Sequence, residues 1–77
     1  MTSSQATVID VRHRLSSNIK RFRGERQLSQ ERLAELADFH RTYVSQLERC
    51  ITNISIDGLE RLARALEVDI VDLLREH

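Results

Sequence analysis

The chain has 77 residues, a formal net charge of zero, two glycines, no proline and a single cysteine. A chain of this length forms one domain, and its many helix-favouring residues without proline predict an all-α fold. Because no apolar run approaches the roughly 20 residues needed to cross a bilayer and the N-terminus lacks a signal-peptide pattern, membrane insertion and export are excluded, and a cytoplasmic protein is expected.

The first predicted helix follows a polar segment, residues 1–7, which is expected to be flexible. Apolar residues then recur at helical spacing and predict a long helix that ends near Arg26; they are Val8, Val11, Leu15, Ile19 and Phe22. The outer face of this helix is basic. Such a basic face either is simply exposed to solvent or contacts phosphate groups. Its residues are Arg12, Arg14, Lys20, Arg21 and Arg26.

Two short amphipathic segments follow, on either side of a break at residues 38–40. Ser29 is placed to cap the second helix, whose inward positions are Leu33, Leu36 and Ala37. Asp38 occupies the turn, where a positive φ is commonly needed and is tolerated by Asp. The third helix is predicted from about Arg41 to Arg49, so the pair has the pattern of a helix-turn-helix, whose second helix enters the major groove of DNA.

The last two predicted helices are short. Ser55 starts the fourth, whose inner positions are Leu59, Leu62, Ala63 and Leu66, and Asp69 caps the fifth. The fifth helix holds more apolar residues than one side of so short a helix can bury. We therefore expect contact with a second subunit through Ile70, Val71 and Leu74.

The charges are unevenly distributed along the chain. Residues 12–49 contain nine Lys or Arg against five Asp or Glu, whereas residues 50–77 contain three against six. The basic part coincides with the proposed DNA-reading unit, and the acidic part is left for a protein partner, with RNA polymerase as a candidate.

Three segments resemble the Xre or phage-repressor type of helix-turn-helix domain: LSQERLAELA, RTYVSQLER and NISIDGLERLARAL. Within that class, RTYVSQLER and NISI are most similar to controller proteins of restriction-modification systems. The resemblance covers nearly everything from Leu15 to Leu74. It implies a lambda-repressor-like five-helix bundle that binds a roughly palindromic operator as a homodimer joined through its last two helices, without a cofactor.

The resemblance also implies roles for individual residues. Base contacts are expected from the exposed side of the third helix, at Arg41, Thr42, Ser45 and Gln46. Phosphate contacts are expected at Gln30, which would also brace the third helix, and at His40, Tyr43, Arg49 and Asn53. A buried or half-buried ion pair between Arg23 and Glu48 would fix the angle of the third helix.

Two residues depart from the family pattern. Cys50 stands where the family usually has Gly in a left-handed conformation, and its Cβ is unfavourable there, which predicts a differently shaped loop. His40 stands where a capping Asp or Asn is common; it is a poorer cap that could point at DNA instead.

Other functions fit the sequence less well. The spacing of His13, His40, Cys50 and His77 matches no metal site, and a buried thiol at a helix end is usually inert. Phe39 and Tyr43 lack a sheet on which single-stranded bases could stack, and Phe39 is assigned to the core. No nucleophile with its base or phosphate-binding loop indicates an enzyme. The alternative that remains is a protein-binding antitoxin or co-activator with the same fold, which would not need the donors on the third helix.

Overall fold

The computed structural model describes the backbone of residues 3–76 and the side chains of residues 11–76. Met1, Thr2 and His77 lie outside the described residues. All regular structure in the described part is helical, and it forms five helices in chain order: α1 (Ser3–Glu25), α2 (Gln30–Ala37), α3 (Arg41–Glu48), α4 (Ile56–Leu66) and α5 (Ile70–Leu74). The all-α prediction is confirmed. The start of α1 at Ser3 differs from the prediction near Val8, because the polar residues 3–7 continue the helix without contributing to its apolar periodicity.

All five helices contribute to one core. α1 packs against α3 and α5, and α2 packs against α3 and α4. The fully buried large side chains of the core are Ile19, Leu33, Val44, Leu62, Leu66 and Leu73. Because α2 and α3 have only eight residues each, they would not be stable alone, and burial against α1 and α4 supplies the stability that their length does not.

Two apolar residues lie outside the core, contrary to the periodic pattern. Leu36 was predicted to face inward but is 46% exposed. Leu33 and Ala34 are both buried, so the buried face of α2 is centred between them and Leu36 lies at its edge. Val11, on α1, is 39% exposed.

The predicted N-caps are present. The Ser29 hydroxyl accepts a hydrogen bond from the Arg32 backbone N–H at 2.9 Å, and the Ser55 hydroxyl accepts one from the Gly58 N–H at 3.0 Å. The Asp69 carboxylate accepts from the Val71 N–H at 2.8 Å. These contacts satisfy donors that the first turn of a helix leaves unpaired. The chain also leaves α2 as predicted, with Asp38 in the left-handed region at φ 60°.

Cys50 keeps the conformation that favours glycine. Its φ is 63°, and the following Ile51 N–H returns to the Gln46 carbonyl at 3.1 Å. The expectation that the loop would change shape at Cys50 is therefore wrong. The backbone accepts the Cβ in this position because the hydrogen bonds of the turn and the packing of its flanks determine the geometry.

The orientation of α3 is fixed by an ion pair at its last residue. Arg23 Nε donates to Glu48 Oε2 at 2.7 Å and Arg23 Nη2 donates to Glu48 Oε1 at 3.0 Å, so one edge of the guanidinium binds both carboxylate oxygens. The Glu48 side chain is only 5% exposed and that of Arg23 is 23% exposed. Gln30 Nε2 donates to the same Glu48 Oε1 at 3.0 Å. One carboxylate therefore joins α1, α2 and α3.

Glu48→Gln is expected to lower the free energy of unfolding by about 3 kcal/mol, because it leaves the Arg23 guanidinium half-buried without a counter-charge. Glu35→Gln is the matched control, since Glu35 pairs with Arg32 on the surface and should contribute less than about 1 kcal/mol. Urea denaturation of both variants measures the difference. Equal losses would contradict a structural role for the buried pair.

Cys50→Gly is expected to be more stable than Cys50→Ala by about 1 kcal/mol, because glycine relieves the Cβ strain at positive φ and this outweighs its larger unfolded-state entropy. Both variants remove the thiol, so their difference isolates the backbone effect. Thermal and urea unfolding measure it. If Cys50→Ala is the more stable of the two, the turn is not strained by its Cβ.

Candidate nucleic-acid interface

One face of α3 carries polar side chains with no partner in the described part of the chain. Successive residues of a helix are turned by about 100°. Five polar residues between positions 41 and 49 therefore lie within about 140° of the helix circumference, opposite the buried Val44 and Leu47. Arg41, Thr42 and Arg49 are exposed, and Ser45 and Gln46 are half-buried. None of these five side chains makes a hydrogen bond or ion pair with another described residue. The five residues form a continuous row of donors, which we call the α3 donor face: Arg41, Thr42, Ser45, Gln46 and Arg49.

His40 acts as a cap at the start of α3. Its Nδ1 accepts a hydrogen bond from the Thr42 backbone N–H at 3.2 Å. His40 therefore caps α3, with the imidazole ring in the place of the usual Asp or Asn carboxylate or amide, and its contact with DNA stays a prediction. A neutral ring that accepts at Nδ1 carries its proton on Nε2, so one donor remains on the exposed side chain.

Tyr43 faces the loop after α3. Its hydroxyl donates to the Asn53 carbonyl at 2.6 Å, and its ring meets Phe39 edge to face with centroids 4.9 Å apart. Burial raises the pKa of Tyr43 above its usual value of 10.0, while the Arg61 cation acts in the opposite direction. The hydroxyl proton is thus used inside the protein, and a phosphate contact by Tyr43 would require this hydrogen bond to be exchanged.

Asn53 is oriented by a residue from the first helix. Arg12 Nη2 donates to Asn53 Oδ1, so the amide oxygen is occupied and the amide NH₂ is left as a donor. Gln30 braces Glu48, as predicted, through one N–H of its amide. The sequence indicated Arg12 only as part of a basic helix face, because its partner is distant in the chain and no local pattern joins the two residues.

The predicted subunit contacts lie on a separate apolar surface. Val71 is 57% exposed, whereas Ile70 and Leu74 are half-buried. Leu74 also borders a groove of about 360 Å³ between α1, α4 and α5, together with Val11, Ile54 and Leu59. At the start of α4, Ile56 is 78% exposed.

The described residues include neither a metal-binding cluster nor a membrane-spanning helix. Among the described residues, no three His, Cys, Asp or Glu side chains are grouped as a metal site would need. His77 lies outside those residues. No helix in the described part is both long and apolar enough to cross a membrane.

Comparison with known proteins identifies close relatives. The family described as Helix-turn-helix matches residues 19–73. The control protein C.SmaI of Serratia marcescens is 35% identical over 74 residues, covering 96% of this chain and 88% of that protein. The crystal structure of the restriction-modification controller protein C.AhdI from Aeromonas hydrophila has a TM-score of 0.76 and 33% identity, over 78% of this chain and 91% of that chain. The hypothetical transcription factor NHTF from Neisseria has a TM-score of 0.83 and 42% identity, over 84% of this chain and 73% of that chain.

These matches confirm the resemblance inferred from the three sequence segments. The family match includes α2, the turn and α3, which carry the α3 donor face. Its members are transcription regulators rather than enzymes. The chain therefore belongs to the helix-turn-helix family of the Xre type and is a DNA-binding transcription regulator that resembles the controller proteins of restriction-modification systems.

Proposed function

We propose that the protein binds a palindromic operator as a homodimer and regulates restriction-modification genes, with its α3 donor face in the major groove. The observation that carries the proposal is the row of side chains along α3 without partners in the described part of the chain. Such a row is unnecessary for the core, whereas arginine, threonine, serine and glutamine are side-chain types that contact base edges and phosphates.

The two ends of α3 have different roles in this proposal. Arg41 and Thr42 stand at the N-terminal end, the part of such a helix that approaches base edges. Ser45 and Gln46 continue the same face one turn later. Arg49 follows the last residue of the helix and is assigned to the DNA backbone. Arg41 offers the planar donor fork that matches O6 and N7 of guanine.

Phosphate contacts are assigned to the edges of the α3 donor face. His40 Nε2, the second N–H of the Gln30 amide and the Asn53 amide NH₂ remain as donors after their internal hydrogen bonds are made. Because each group is also held by the protein, binding phosphate costs it less conformational freedom than it would cost a mobile side chain. Tyr43 is assigned to phosphate only after its hydroxyl leaves the Asn53 carbonyl.

The second subunit is assigned to the apolar surface around α5. A 77-residue domain has a limited core, and exposed Val71 and Ile56 lie on helices next to the groove bordered by Leu74. A two-fold axis through this surface would place two copies of α3 about 34 Å apart, in successive major grooves. The acidic C-terminal part would then remain available to RNA polymerase.

Selection of duplexes from a random pool, at a stated salt concentration, tests the proposed function directly. The expected product is a sequence with two inverted half-sites whose centres lie about 10 base pairs apart. A pool that yields no preferred sequence would contradict operator recognition. A single half-site would contradict the symmetric dimer while leaving base reading intact.

Arg41→Ala is expected to cost about 1–3 kcal/mol on the selected duplex and to relax discrimination at one base pair in each half-site. Arg49→Ala is the comparison, because loss of a phosphate contact should weaken selected and scrambled duplexes alike and lower the salt slope by about 1 per subunit. Binding to matched and single-substituted duplexes over a salt series separates the two effects. Equal loss on every sequence for Arg41→Ala would show that Arg41 does not read a base.

Leu74→Arg and Val71→Arg are each expected to give monomers, because a guanidinium in the apolar interface must be desolvated without a partner. Leu36→Arg is the control: Leu36 is also an exposed apolar residue, but it lies on α2, away from that surface. Sedimentation equilibrium at micromolar concentration without DNA provides the measurement. The dimer proposal fails if the unmodified protein is already monomeric under these conditions.

A further inference from the structure

The turn of the helix-turn-helix is held by an arginine from outside the motif. Arg61, in the middle of α4, donates from Nε to the Ala37 carbonyl at 3.0 Å and from Nη2 to the Asp38 carbonyl. Carbonyls at the end of a helix lack partners within it, and here a planar guanidinium satisfies two in succession. Asp38, which has a left-handed conformation, is therefore held at its backbone N–H by carbonyls of α2 and at its carbonyl by Arg61 of α4.

The same guanidinium begins a series of contacts that leads to the far end of α3. Its central carbon lies 4.3 Å from the centroid of the Phe39 ring. Phe39 meets Tyr43 edge to face at 4.9 Å, and the Tyr43 hydroxyl donates to the Asn53 carbonyl at 2.6 Å. Arg61 is also close enough for its charge to act on the pKa of Tyr43. The contacts therefore join α4, the turn, α3 and the loop that follows α3.

These contacts hold the turn from which the N-terminal end of α3 begins. Glu48 anchors the C-terminal end of α3 to α1 and α2. The N-terminal end, which carries Arg41 and Thr42, follows directly from the turn at residues 38–40. A small rotation of that turn moves both side chains relative to the bases, and hydrogen bonds to base edges tolerate little displacement.

We propose that Arg61 is a positioning residue for sequence reading: by clamping the Ala37 and Asp38 carbonyls and stacking on Phe39, it sets the placement of Arg41 and Thr42 without contacting DNA. This inference rests on the proposed function. It predicts an effect on sequence discrimination rather than on electrostatic attraction, because the charge of Arg61 is used inside the protein. Lysine replaces it poorly, since an ammonium lacks the planar fork that binds two carbonyls while it stacks on a ring.

The test compares Arg61→Gln with Arg64→Gln. Arg64 lies on the same helix, is exposed, and has no hydrogen bond or ion pair with a described residue, so its substitution removes the same charge without disturbing the clamp. The measured quantity is the ratio of affinities for the selected and scrambled duplexes, which does not depend on the fraction of active protein. Arg61→Gln is expected to lower this ratio by about 3- to 10-fold while the salt slope stays unchanged, and Arg64→Gln should leave the ratio unchanged.

A second measurement uses the only tyrosine in a chain that has no tryptophan. The intrinsic fluorescence therefore reports on Tyr43 alone. Acrylamide should quench this fluorescence more strongly in Arg61→Gln than in the unmodified protein, because Phe39 is no longer held against the ring, and Arg64→Gln should match the unmodified protein. Arg61→Lys, which keeps the charge on a single donor nitrogen, is expected to fall between Arg61→Gln and the unmodified protein in both measurements, and it provides the comparison if Arg61→Gln does not fold.

The outcomes separate this inference from the proposed function. If the unmodified protein binds selected and scrambled duplexes equally, operator recognition itself fails. If the unmodified protein discriminates and Arg61→Gln discriminates equally well, the positioning role is overturned. A fall in affinity on both duplexes together with a lower salt slope would also overturn it, because that result identifies Arg61 as a phosphate contact.

Discussion

The rest of the structure depends on one buried carboxylate, that of Glu48. A charge on a side chain that is 5% exposed is costly unless it is paired, so the fold must bring partners to it. Arg23 from α1 and Gln30 from α2 both bind the carboxylate, and the Ser16 hydroxyl donates to the Glu48 backbone carbonyl at 2.6 Å. Any other angle of α3 would separate at least one of these partners. The ion pair therefore contributes a defined orientation of α3 as well as stability, and a sequence-reading helix needs that orientation.

Polar contacts between distant residues also stabilise the ends of the short helices. Side chains from distant elements bind the carbonyls that a helix leaves unpaired at its C-terminus. These long-range contacts, with the donor first, are Arg26 to Leu66 and Glu67, Arg61 to Ala37 and Asp38, and Asn18 to Leu73 and Arg75. Each contact closes a helix and joins it to another at the same time. A small core is thus supplemented by polar contacts that add specificity to the packing.

Local signals in the sequence predicted most of the fold. Helical periodicity, the caps at Ser29, Ser55 and Asp69, and the turn at Asp38 each depend on neighbours within a few residues, and the caps and the turn occur as predicted. Leu36 was placed wrongly because periodicity cannot distinguish the centre of a buried face from its edge. The Arg12 contact with Asn53 and the Arg61 contact with the turn could not be predicted, since they join residues that are brought together only by tertiary packing.

The polar residues of the candidate interface divide into two groups according to how the protein uses them. Gln30, His40, Tyr43 and Asn53 each make an internal hydrogen bond that holds α3 or its flanking segments. The side chains of Arg41 and Thr42 make none with the described residues, although they lie between those fixed points. A side chain without an internal partner keeps all of its donors for a base, while the fixed residues around it limit where its backbone can be. The proposed reading of bases by Arg41 and Thr42 would therefore depend on the neighbours that hold α3 in place as much as on their own side chains.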